Sequence, residues 1–271
     1  MASATNVTVL SSDGGEVVLL TQGSPEFEAA ARPFADSQQA RDLLPYTVLI
    51  KNVSGRDLIA YSVRLASTDS NGVTKPLQIL IPRDFVTFRG SAVVTSGSSK
   101  LISFVTGLTA PRRGNAVDPA SADRFRQTAE FYRAQHGIVI SLELAIFEDG
   151  TAIGPDRDHK LPILKAWIDA ERDFARAVLS VNDLGAFASE VRAIRDRGYE
   201  ALPADAPRDA GGLYVAAEMS KRYTDCYRFA QAHFAAQVAQ WIDQTDVNSA
   251  RQRLMMITGN KQYPVIQRKG Q

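Results

Sequence analysis

The sequence predicts an α+β chain: an antiparallel β-sandwich followed by a C-terminal helical region. Two observations carry this. Up to about residue 155, apolar residues recur with a period of two between clusters of Gly, Pro, Asn, Asp and Ser, as half-buried strands require. After Gly154-Pro155-Asp156 the period lengthens to about 3.6, with Leu161, Leu164, Ile168, Phe174 and Val178 at helical spacing. A chain of 271 residues can bury roughly three quarters of its unfolded surface, enough for one large or two modest domains.

Each element has its own signal. VTVL and VVLL, between Asn6 and Leu20, flank Ser-Ser-Asp-Gly-Gly, which predicts a hairpin. Ser24 as cap and Pro25 at the first helical position predict a short helix to Ala31, ended by Pro33, with 32–44 as a connection. Tyr46 to Gly72 is the most informative stretch: Tyr46, Val48 and Ile50 alternate with Thr47, Lys51 and Asn52. Past a turn at Asn52 to Asp57, Leu58, Ala60 and Ser62 alternate with Ile59, Tyr61, Val63 and Leu65. Short strands follow at Leu77 to Ile81, Phe85 to Phe88, Val93-Val94 and Ser99 to Thr106. Phe125, Ala129 and Tyr132 predict an amphipathic helix inserted near 118–135. Ile138 to Phe147 is a strongly β-like run, turned by Glu148-Asp149-Gly150 into Thr151 to Ile153. Breaks then divide the helical region into helices near 158–180, 184–200 and 211–245. The domains expected are therefore 1–155, a sandwich, and 156–257, helical, with 258–271 as a tail.

Composition narrows the function classes. Lys+Arg 31 against Asp+Glu 30 gives a formal charge of +1, so no global field draws the chain to nucleic acid or an anionic membrane. Arg112-Arg113 with Lys100 and Arg124, and Arg192, Arg195 and Arg197, lack interleaved stacking aromatics and read as solvated faces. No run reaches the ~20 apolar residues of a membrane span. The opening MASATNVTVL has neither a basic n-region nor an apolar h-region, so no signal peptide is expected within it. The compartment stays open, extracytoplasmic if a leader was removed and cytoplasmic otherwise. Cys226, the one cysteine, excludes an intrachain disulfide and a thiolate zinc site, and reads as a small core residue.

Candidate chemistry is sparse. Ser67 to Gln78 places Ser67, Asp69 and Asn71 at calcium-loop positions, but lacks the first Asp and the final bidentate Glu, and Asn71-Gly72 is a hairpin turn signal. Asp149, Asp156 and Asp158 form a cluster of hard oxygen donors that suits calcium; the same residues suit a turn and a helix start. His136, His159 and His233 lie in separate elements, without the spacing of a zinc site. There is no G-x-S-x-G elbow and no phosphate loop, and the sequence calls for no cofactor. Asn6-Val7-Thr8 and Asn52-Val53-Ser54 fit the glycosylation pattern, which has meaning only in a eukaryotic secretory pathway.

The strings YTVLIKNVSGRDLIAYSVR (Tyr46 to Arg64) and LELAIFEDGTAIGPD (Leu142 to Asp156) resemble the central hairpin and the closing strand of immunoglobulin-like domains in uncharacterised bacterial proteins of acidobacterial type. The resemblance implies an immunoglobulin-like sandwich with a helical segment appended, without catalytic residues. The cysteine pair of antibody domains is absent, so packing alone must hold the core. The expected function is non-catalytic binding or structural assembly through a protein partner or self-association, without nucleic acid or a membrane span. Sandwich loops or an edge strand would make contacts, with Trp167, Tyr227, Phe234 and Trp241 as an aromatic helical face. The alternative is a hydrolytic or metal-dependent enzyme, with Asp149, Asp156 or His159 in a cleft between sandwich and helices.

Overall fold

The computed structural model describes residues 6–10, 15–34, 38–69, 71–80, 93–104, 119–199, 219–259, 263 and 265–269. The fold is mixed α+β, about 50% helix and 27% strand, and its sheets do not close on themselves. The expected strand at Phe85 to Phe88 and the break at Leu202 to Gly212 lie outside the described residues. Two compact units are present: the first contains the described residues of Met1–Pro82, Val94–Ala145 and Ile153–Pro155, and the second those of Ile146–Ala152 and Asp156–Gln271, with Val93.

Two sheets build the first unit. In one, β3 (Thr47–Asn52) lies between β2 (Val17–Leu20) and β6 (Ser99–Ser103), antiparallel to both. In the other, β4 (Leu58–Thr68) lies between β5 (Thr74–Leu80) and β7 (Gly137–Phe147). A further strand, β1 (Asn6–Leu10), pairs with β7 in parallel, Asn6 opposite Gly137. This corrects the expectation of a hairpin between VTVL and VVLL and of a wholly antiparallel arrangement. Turn residues let a chain reverse, but strand partners are chosen by burial across the whole fold.

The segment Tyr46 to Gly72 holds a second correction. Its first two strands do not pair, because β3 and β4 belong to different sheets. The turn between them is a crossing, fixed by Asn52, which is fully buried. Its Nδ2 donates to the carbonyls of Arg56 (2.7 Å) and Val94 (3.2 Å), and its Oδ1 accepts from the amide of Ser54 (3.1 Å) and the Ser54 hydroxyl (2.7 Å). The amide of the Asn-Val-Ser pattern is thus consumed by the fold. The β3 strand, expected to be half-buried, is covered on both sides apart from Lys51. The helix α1 (Pro25–Ala31) lays Phe27 and Ala31 against Leu49. It starts as its sequence predicts, with the Ser24 hydroxyl accepting from the Phe27 amide at 3.2 Å.

The hydrogen-bonded hairpin is β4–β5, turned at Asn71-Gly72. Gly72 takes a positive φ of 78°, and the Asp69 carboxylate accepts from the amides of Asn71 and Val73, both at 2.9 Å. The loop that partly matched a calcium site is a turn. Beyond it the register shifts, with Leu65 opposite Gln78 but Ala66 opposite Pro76, so Leu77 is an extra residue in a β-bulge. The inserted helix is α3 (Pro119–Arg133), with Phe125, Ala129 and Tyr132 buried as their spacing predicts. A helix that the sequence did not announce, α2 (Gln38–Leu43), packs beside it in what was expected to be a connection. Arg133 of α3 bonds Asp42 of α2 at 2.7 Å.

The second unit is a helical assembly in which α6 (Met219–Gln244) packs along α4 (Leu161–Leu179) and α5 (Leu184–Tyr199). One more helix, α7 (Val247–Thr258), starts at Asp246, whose carboxylate accepts from the Ser249 amide at 2.9 Å. The expected tail at 258–271 needs correcting as well. Gln267–Arg268 form a short strand, β9, parallel to β8 (Thr151–Ile153). Backbone bonds run from the Gln267 amide to the Gly150 carbonyl and from the Lys269 amide to the Ala152 carbonyl, both at 2.9 Å.

Candidate functional site

Among the described residues, a connected polar seam runs along α4 and α6. Helical spacing makes it: Lys165, Asp169, Arg172 and Asp173 sit on successive turns of α4, and Tyr223, Tyr227 and Gln231 recur every four residues on α6. Asp169, with a side chain only 9% exposed, accepts from Lys165 Nζ (2.5 Å), Arg172 Nη1 (3.0 Å) and the Tyr223 hydroxyl (2.6 Å). Asp173 accepts from Arg172 Nε (2.8 Å) and the Tyr227 hydroxyl (2.9 Å), which itself accepts from Gln231 Nε2 at 3.0 Å. The two tyrosine rings stack 6.2 Å apart, and Lys165 Nζ lies 5.6 Å from the Tyr223 ring centroid. Two phenols are thereby anchored at their tips by carboxylates while their rings stay half-exposed.

Protonation equilibria follow from this geometry. Desolvation first, then the bond to Asp173, pushes the Tyr227 phenol up to about 12, and desolvation with the Asp169 bond pushes Tyr223 up as well. The Arg172 guanidinium holds the Asp173 carboxyl below its ordinary value. These groups therefore keep their charge states around neutrality; the seam suits holding and orienting better than proton transfer. A folded pKa raised above the unfolded value contributes stability that is fully present below the unfolded phenol value of about 10. That contribution is lost as pH rises through about 12. The difference in phenolate absorbance between the wild type and Tyr227→Phe should show this late titration. A Tyr227 midpoint at the free-phenol value would contradict it.

The residues singled out from sequence fare differently. Trp167, Phe234 and Trp241 are buried within the helical unit, at 5%, 0% and 9% exposure. Trp167 meets Phe229, His233 and Phe234 edge-on, and the Arg253 guanidinium lies over Trp241 at 4.2 Å. Rings spent on an intrachain core are not a free aromatic face, so of the four only Tyr227 remains half-exposed. Cys226, beside it, is half-buried and forms no disulfide.

The three candidate calcium ligands do not come together. Among the described residues, no group of three or more His, Cys, Asp or Glu side chains is arranged to hold a metal ion. Asp149 closes its turn by accepting from the Thr151 amide at 2.8 Å. Asp156 accepts from the amides of Lys160 (2.7 Å) and Leu161 (3.3 Å), covering donors at the start of α4. Asp158, two residues on, is also buried. Asp156 and His159 both take positive φ, 49° and 50°, and burial pushes the Asp156 carboxyl above its ordinary value. Of the basic groups, Arg192 and Arg197 pair with Asp243 and Glu190, and Arg195 with its neighbour Asp196. Arg112 and Arg113 lie outside the described residues.

Compared with protein-family models, curated proteins and solved structures, the chain matches none. Sequence reading passed over Lys165, Asp169, Arg172 and Asp173. The signal was present: charges three, four and seven apart on α4, with Asp169 and Glu171, both buried, beside the Trp167-Ile168 core positions.

Proposed function

We propose that the protein is a non-catalytic binding or assembly protein that self-associates through the α4–α6 seam. The observation that supports this is the pair of half-exposed tyrosines with Arg172, held in place by Asp169 and Asp173. Tyr and Arg are enriched among residues that dominate contact energies, and side chains already ordered lose little entropy on docking. The contact surface thus moves from the expected Trp167, Phe234 and Trp241 to Tyr223, Tyr227 and Arg172. In the same reading the first unit is an immunoglobulin-like sandwich. Its support is the placing of β2, β3 and β6 in one sheet and β4, β5 and β7 in another, with consecutive β3 and β4 on opposite sides, as in immunoglobulin domains. The parallel β1 strand is an addition to the simplest form of that plan.

Sedimentation of the full chain over a range of concentrations tests the proposal. A concentration-dependent dimer is expected, with Tyr227→Ala and Arg172→Ala weakening it at least tenfold while the helical circular dichroism is kept. A monomer at every concentration, or a dimer indifferent to both changes, would overturn it.

A further inference from the structure

Within the first unit, one face of α3 and the bulge of β5 enclose an open groove of about 300 Å³, lined by Leu77, Arg124, Gln127, Thr128, Phe131 and Tyr132. This is near the lower end of small-molecule sites, roughly 300–1,000 Å³. Its lining is graded along the helix: a cation at Arg124, amide and hydroxyl groups one turn on, and two aromatic rings a further turn on. At 1.5 Å per residue the grade spans about 10 Å. Three features set the groove apart from ordinary surface. Phe131 is 51% exposed, although its neighbour Tyr132 is buried at the base with the ring centroids 5.8 Å apart. Leu77 is the extra residue of the β-bulge, a device that redirects a side chain out of the strand's alternation. Arg126 and Arg133 of the same helix pair with Asp123 and Asp42, whereas Arg124 has no carboxylate partner among the described residues; its guanidinium lies over the Phe125 ring, 5.7 Å from the centroid.

We propose that this groove binds a small apolar monocarboxylate, its carboxylate on Arg124 and the Gln127 amide and its apolar body along Leu77, Phe131 and Tyr132. Charge selects the acid, because guanidinium and amide supply donors where the groove begins. Length selects a medium chain, since a ~10 Å span accommodates an extended acid of about eight carbons. The Thr128 hydroxyl is already committed to the Arg124 carbonyl at 2.8 Å, so it shapes the groove without serving the ligand.

Titrating the full-length, isotope-labelled protein with octanoate, and following amide shifts, tests the assignment. Saturable shifts centred on Leu77, Gln127 and Phe131 are expected, with octanol and octylamine at least tenfold weaker. Shortening the acid by two carbons should weaken it roughly fourfold or more. Arg124→Glu, at an exposed position that leaves the core untouched, should abolish binding; Phe131→Ala should weaken octanoate more than butyrate. Absence of shifts, shifts confined to other regions, or equal binding of octanol and octylamine would overturn the proposal.

Discussion

Phe234→Ala should destabilise the helical unit by about 4 kcal/mol, the range for removing a large ring from a closed core. Phe234 is fully buried on α6, with Trp167 edge-on at 5.6 Å, Phe174 stacked at 6.5 Å and His233 at 6.0 Å. Alanine would remove the ring from the middle of that contact set, and helices held by each other's side chains collapse only partly into the gap. Both tryptophans of the chain, Trp167 and Trp241, lie in this unit. Their fluorescence during urea unfolding therefore reports on it alone. A loss under about 1 kcal/mol would mean that the α4–α6 packing is not what holds the unit together.

Gly154→Ala should destabilise the first unit by about 3 kcal/mol, through backbone rather than side-chain contacts. Gly154 has φ of 109°, where L residues are strained, and a Cβ there would stand 2.5 Å from the Glu143 carbonyl oxygen and 3.2 Å from the Leu144 Cα. Neither atom can swing aside as a flexible side chain would, and both belong to buried residues of β7. Gly55→Ala is the matched control, since nothing lies within 4 Å of its added methyl group. Calorimetric midpoints should fall for the first and stay nearly unchanged for the second. Equal midpoints would contradict the close approach of Gly154 to β7.

Where local chemistry decides the outcome, the sequence was legible. Ser24 and Pro25 start α1, Asn71-Gly72 turns β4 into β5, and the 125/129/132 spacing buries one face of α3. Each of these is settled within a turn or two of chain. What was misread depends on residues far apart. Asn52 to Asp57 has the composition of a hairpin turn, yet its strands diverge because Asn52 bonds the distant Val94 carbonyl. The β3 alternation signalled one covered face, and only α1 arriving at Leu49 covers the other. The same limit applies to the site. Acidic residues clustered in sequence at 149–158 serve turns and a helix start, whereas the seam joins residues 54 positions apart, Tyr223 to Asp169 and Tyr227 to Asp173. The aromatic helical face expected from sequence included Tyr227 but not its carboxylate partner Asp173.

The parallel pairing of β1 with β7 has a kinetic side. Residues 6–10 are made before their partners at 137–141, which lie 131 positions further along the chain. At roughly 5–20 residues per second, β1 waits on the order of ten seconds during synthesis before its partner exists. Closing so distant a contact is also slow in refolding, because the loop entropy is lost before the strand contacts are gained. The first unit therefore completes its sheet late. Until then the backbone groups of VTVL are open to other strands, and crowded refolding is where this chain is most exposed to aggregation.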